Sequence, residues 1–164
     1  MVVPSPRRWL PALIAVGLLT ATGCSPAPEP TVGLQRDGDG FAVLTPLCPG
    51  GEVLSVSVKA TGGDLRGAEW EITPDPGGDR STDRFPLFRT PPGWTAGVTE
   101  ITALTAGQTY TAYPTTTLPK SSFVDFTLAD LEKLEGDEVL TYREGGGATR
   151  VKAAKFRARA LKSC

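Results

Sequence analysis

The sequence predicts an all-β domain of sandwich type, and three observations carry that prediction. Nineteen Gly and 15 Pro among 164 residues cut the chain into short runs and leave little room for long helices. Between those breaks, apolar and polar residues alternate with the period of two that a half-buried strand requires. Two cysteines, Cys48 and Cys164, enclose nearly all of the patterned region, as in a domain stapled outside the cytoplasm.

Ahead of the strands stands a different kind of segment. Arg7 and Arg8 precede 12 apolar-rich residues, Trp9 to Thr20, and then the small residues Ala21, Thr22 and Gly23. That is the layout of a secretory signal. As a helix the apolar run rises only about 18 Å, against a hydrocarbon core of about 30 Å, so an uncleaved span is not expected. The small residues lead straight into Cys24. The stretch Leu18 to Cys24 resembles the lipobox of bacterial lipoproteins, with Ala21 where the family carries Leu. The resemblance implies a diacylglycerol on the Cys24 thiol and removal of residues 1–23. It therefore implies a protein on the extracytoplasmic face of the cell membrane, with the membrane as its partner through that lipid. Each buried CH₂ of an acyl chain contributes about 0.8 kcal/mol, so two or three chains hold firmly.

Removing residues 1–23 takes two of 17 basic residues and none of 18 acidic ones, leaving 141 residues with a formal charge of −3. That length suits one domain, and the weak acidic balance gives no basis for nucleic acid as a partner. Abundant Ala, Gly, Pro and Thr, with Arg in excess of Lys, resembles the exported lipoproteins of high-GC Gram-positive bacteria. With Cys24 taken by lipid, Cys48 and Cys164 remain as an even pair and are expected to form a disulfide. Residues 24–40 read as a flexible tether, because Pro26, Pro28 and Pro30 alternate and no apolar periodicity follows. Asp37-Gly-Asp39-Gly resembles the opening of a calcium loop, but Cys48 stands where that loop needs its bidentate Glu, so a plain turn is expected.

The sandwich is expected over residues 41–164. Phe41 to Leu47 reads as its first strand. In Val53 to Ala60, Leu54, Val56, Val58 and Ala60 face one way, and Val53, Ser55, Ser57 and Lys59 the other. In Gly67 to Thr73, Ala68, Trp70 and Ile72 share the inner face, with Trp70 as the central core aromatic. Glu69 and Glu71 share the outer face, roughly 7 Å apart. That separation fits an inverting glycosidase pair, although two carboxylates on an outer strand face are more simply solvated. Pro86 makes Phe85 to Arg89 an edge strand, and strand character resumes from Val98 to Leu104.

Leu104-Thr-Ala-Gly107-Gln-Thr-Tyr110 resembles the Leu-x-Pro-Gly-x-x-Tyr segment of fibronectin type III domains, with Ala106 in place of Pro. The resemblance covers about half the chain with Trp70 taken as the third-strand Trp. It implies an immunoglobulin/fibronectin type III-like β-sandwich and a tyrosine corner, the Tyr110 hydroxyl returning to the backbone before it. Beyond it, Val124, Phe126 and Leu128 share a strand face. Thr127 to Asp130 fits a capping box for one short helix, which Gly136 stops. Glu138 to Glu144 reads as a strand and Gly145 to Gly147 as its turn. Thr149 to Leu161 reads as a long last strand with Val151, Ala153, Phe156, Ala158 and Ala160 inward, and a bulge where the phase slips at Ala154-Lys155.

The chain contains no histidine. That removes Ser-His-Asp and Cys-His nucleophiles and every His-ligated metal. No P-loop or dinucleotide fingerprint is present, so no catalytic residue, metal or cofactor is assigned. The expected function is a non-catalytic binding or accessory module of the cell envelope, with an envelope protein or polymer as its further partner. The alternatives are a carbohydrate- or wall-polymer-binding module and an Asp/Glu hydrolase. Two surfaces are candidates for binding. One is the basic run Arg150 to Lys162, with Arg157 and Arg159 at its centre, either open to anionic lipid or polymer or paired with acids such as Glu138 and Glu144. The other is Trp94, either an exposed ring on its Pro-Gly turn or a ring folded back over the core. A polymer binder would expose rings near Trp94, Phe88 and Tyr113.

Overall fold

The computed structural model describes residues 31–117, 122–162 and 164. Ten strands form two antiparallel five-stranded sheets that pack face to face. The first sheet has the order β10-β9-β1-β2-β5, from β1 (Gly33–Asp37), β2 (Gly40–Leu44), β5 (Arg84–Pro86), β9 (Glu138–Tyr142) and β10 (Ala148–Lys152). The second has the order β6-β4-β3-β7-β8, from β3 (Val53–Gly62), β4 (Glu69–Pro74), β6 (Trp94–Thr99), β7 (Thr109–Thr116) and β8 (Val124–Phe126). Counting β1, β2, β3, β4, β5, β7 and β8 as the seven strands of a type III arrangement divides them three against four. β6 then extends one edge of the second sheet, and the β9–β10 hairpin extends the β1 edge of the first.

The tyrosine corner is present: the Thr105 N–H donates to the Tyr110 hydroxyl at 2.9 Å, and Tyr110 is fully buried against Phe126. Tyr110→Phe leaves that N–H without its partner and is expected to cost about 1 kcal/mol. The measurement is a lower denaturant midpoint with an unchanged slope. Trp70 is buried between the sheets, as expected, but on the fourth strand, because β1 precedes the strands read from the sequence.

That first strand corrects the expected tether. Residues 33–37 pair with β2 and residues 33–35 also with β9, and the ordered fold already holds Thr31 and Val32. Only Val32 and Leu34 give the strand an apolar signature, and both are fully buried. A second correction lies in β3. Its register shifts between Val53 and Ser55, so Val53 turns into the core and Leu54 turns outward, 37% exposed. A bulge of one residue swaps faces where strict alternation keeps them. The strand expected over Val98 to Leu104 begins earlier, at Trp94, and the chain leaves the sheet after Thr99.

The expected capping box is present in α1 (Leu128–Glu132), with Thr127 and Asp130 bonding each other's backbone N–H. The last correction is larger. Residues 153–162 form a helix, α2 (Ala153–Lys162), where a strand was expected. Phe156 and Ala160 are its buried residues, four apart on one helical face, whereas Ala158 is exposed. The apparent alternation of Phe156, Ala158 and Ala160 was thus a helical pair with an exposed Ala between them. Ala, Lys and Arg are strong helix formers, and Arg159 and Lys162 in the last turn complement the helix dipole. α2 covers the outer face of the first sheet. There Phe156 packs with Leu44 and Val139 over Gly33.

Candidate functional site

Cys24, the expected lipid attachment site, lies outside the described residues. The chain enters the fold at Thr31. The Thr31 N–H and the Val32 N–H both donate to the Ser122 hydroxyl, at 2.8 and 3.1 Å, and the Ser122 N–H donates back to the Thr31 hydroxyl. This clasp joins the start of β1 to the segment before β8, 91 residues away. Nothing in the local sequence around Ser122 announces it. Among the described residues no helix is long and apolar enough to cross a membrane.

Cys48 and Cys164 are bonded, with Cα atoms 5.4 Å apart, and lie 116 positions apart in sequence. The bridge ties the end of α2 to the loop after β2.

The basic run is shared between β10 and α2, so it is not one strand face. Arg150 lies 3.7 Å from Glu138 and donates to the Lys133 carbonyl, Lys152 pairs with Asp137 at 2.8 Å, and Arg157 pairs with Asp83 at 2.6 Å. Of the acids expected to pair with this run, Glu138 does so. Lys155, Arg159 and Lys162 recur at helical spacing along one exposed stripe of α2 and make no ion pair among the described residues. The helix therefore separates Arg157 from Arg159: the first is tied to a loop and the second is solvated.

The three rings that would build a polymer platform do not form one. Trp94 is 5% exposed and packs edge-on against Phe85 at 4.8 Å, so it folds back over the core. Phe88 packs edge-on against Trp70, with a backbone φ of 58° that bulky side chains seldom adopt. Tyr113 is half-buried on the outer face of the second sheet and donates to Glu69 at 2.5 Å. Burial first, and the hydrogen bond to Glu69 next, push its phenol above the ordinary value, so it stays a donor. Glu71 accepts from the buried Ser57 hydroxyl at 3.3 Å. The two glutamates, read as a conceivable catalytic pair, are thus each engaged by a neighbouring hydroxyl.

A groove of about 550 Å³ runs where the edge strand of one sheet, β8, approaches the edge strand of the other, β10. Asp125, Asp130, Lys133 and Arg150 line it with Thr127 and Thr149. Both charge signs, hydroxyls and two strand edges suit a polar, extended ligand. Comparison with known proteins found no matching family model, no matching curated protein and no matching solved structure.

Proposed function

We propose that the chain is an exported lipoprotein whose sandwich serves as a non-catalytic binding or accessory module of the cell envelope. In this reading acyl chains on Cys24 hold it at the extracytoplasmic face of the membrane. The observation that carries the reading is the Cys48–Cys164 bridge. A bond closing nearly the whole domain belongs to an oxidising compartment, and it accounts for every cysteine except the one in the lipobox-like stretch. The absence of an exposed ring platform at Trp94, Phe88 and Tyr113 weighs against the polymer-binding alternative. The edge strands β8 and β10 that border the groove support a protein partner instead, because an extended peptide segment can pair with a sheet edge.

The test is Cys24→Ala in the full chain, followed by fractionation and mass measurement. The variant is expected in the soluble fraction, or as a precursor still carrying residues 1–23, while the unaltered protein stays with membranes and carries diacylglycerol. A variant that matures normally and still labels with lipid would overturn the reading.

A further inference from the structure

The large exposed hydrophobic side chains of the described residues are Phe123 at 51%, Leu161 at 46% and Leu54 at 37%. Single exposed apolar residues are ordinary on a protein surface. These three, however, come from distant parts of the chain and collect at one end of the sandwich. Phe123 follows Ser122, which clasps Thr31 at the start of β1. Leu54 stands at the start of β3, where Val53 pairs with the end of β7 at Thr116. Leu161 is in the last turn of α2, where its carbonyl accepts from the N–H of Cys164, itself bonded to Cys48 in the loop just before β3. The opposite end carries the β1–β2 turn, the Gly62 to Gly67 turn and the tyrosine corner.

The end that gathers these side chains is also the end at which the chain enters. Six residues, Ser25 to Pro30, separate Cys24 from Thr31. Seven residue steps span at most about 25 Å when fully extended. The ten-residue strand β3 is itself roughly 33 Å long. A lipid on Cys24 therefore holds this end within less than one domain length of the bilayer.

Resting on the anchoring reading above, we propose that this end of the sandwich is a membrane-contact surface. Phe123, Leu161 and Leu54 sit in the headgroup layer of the bilayer that carries the anchor. Phe123 packs against Tyr142 with ring centroids 6.1 Å apart, which sets beside it a tyrosine, a residue type enriched at the membrane interface. Of the acids at this end, Glu52 pairs with Arg80 and Asp83 with Arg157, while Asp79 and Glu144 make no ion pair among the described residues. The module's outward faces, including the opposite end, are thereby left to partners.

The test uses the full lipidated chain, reconstituted in vesicles of phosphatidylethanolamine and phosphatidylglycerol with or without brominated acyl chains. Trp70 and Trp94 are buried and form the background in each case. Phe123→Trp adds a reporter at the anchored end, and Arg66→Trp adds one in the turn between β3 and β4 at the other. The Phe123→Trp emission is expected to shift to the blue and to lose most of its intensity with brominated lipid, while Arg66→Trp does neither. Mass measurement on the same samples reports the lipid on Cys24. Lipid present with Phe123→Trp unquenched, or with both reporters quenched alike, overturns the oriented contact and leaves the anchoring reading standing. Lipid absent from Cys24 overturns both.

Discussion

Replacing Cys48 and Cys164 together by Ser is expected to lower the stability of the domain by about 2–4 kcal/mol. At this size that corresponds to a fall of roughly 8–15 °C in melting temperature. The bridge spans 116 residues of sequence, so in the unfolded chain it closes a long loop and removes much of the freedom that folding must overcome. The folded state loses something as well. α2 is held to the first sheet by its buried Phe156 and Ala160, by one half-exposed ion pair between Arg157 and Asp83, and by the bridge at its end. An ion pair of that exposure contributes under about 1 kcal/mol. Loss of the bridge is therefore expected to loosen α2 before the sandwich melts. Hydrogen exchange should show the amides of residues 156–162 losing protection while those of β3 and β7 keep theirs. Reductant should reproduce the effect in the unaltered protein and add nothing to the double variant. An unchanged melting temperature on full reduction would show that the bridge contributes nothing to stability.

The parts of this fold that the sequence announces are those whose signals are local or chemically singular. Leu104, Gly107 and Tyr110 lie within seven residues, and together they specify a corner that closes on itself through Thr105. Thr127 and Asp130 specify a helix start in four residues. Cys48 and Cys164 need no spacing rule once Cys24 is set aside, because they are the remaining pair. The parts that stayed hidden depend on partners far away in sequence. β1 has one inward apolar side chain of its own, Leu34, with Val32 just ahead of it, and its remaining stability comes from pairing with β2 and β9. Leu54 lies outside because the backbone bulges, which no hydrophobic pattern encodes. The Thr31–Ser122 clasp joins two unremarkable hydroxyl residues 91 positions apart. Much of the end at which the chain enters the fold is illegible for that reason, since the clasp, the bulge and the end of α2 together define it.

The helix in place of the expected last strand yields the sharpest stability experiment. Phe156→Ala is expected to cost about 3–5 kcal/mol, the range for emptying a fully buried aromatic site. The surroundings leave little room for collapse, because the void would open between α2 and the backbone of β1 and β9. Gly33 lies directly beneath the ring: a Cβ built there would meet Phe156 at 3.1 Å and a Val139 methyl at 2.4 Å. Gly33→Ala should therefore also destabilise, since Val139 must shift within a packed layer, at a cost of about 1–3 kcal/mol. Ala158→Lys supplies the contrast. On a strand with Phe156, Ala158 and Ala160 inward, a lysine at 158 would bury a charge and cost as much as the Phe156 change or more. On α2, residue 158 is exposed, and the substitution should alter stability by less than about 0.5 kcal/mol. Denaturant midpoints of the three variants decide the matter. Phe156→Ala and Gly33→Ala severe with Ala158→Lys neutral is the outcome the helix requires, and a severe Ala158→Lys would restore the strand.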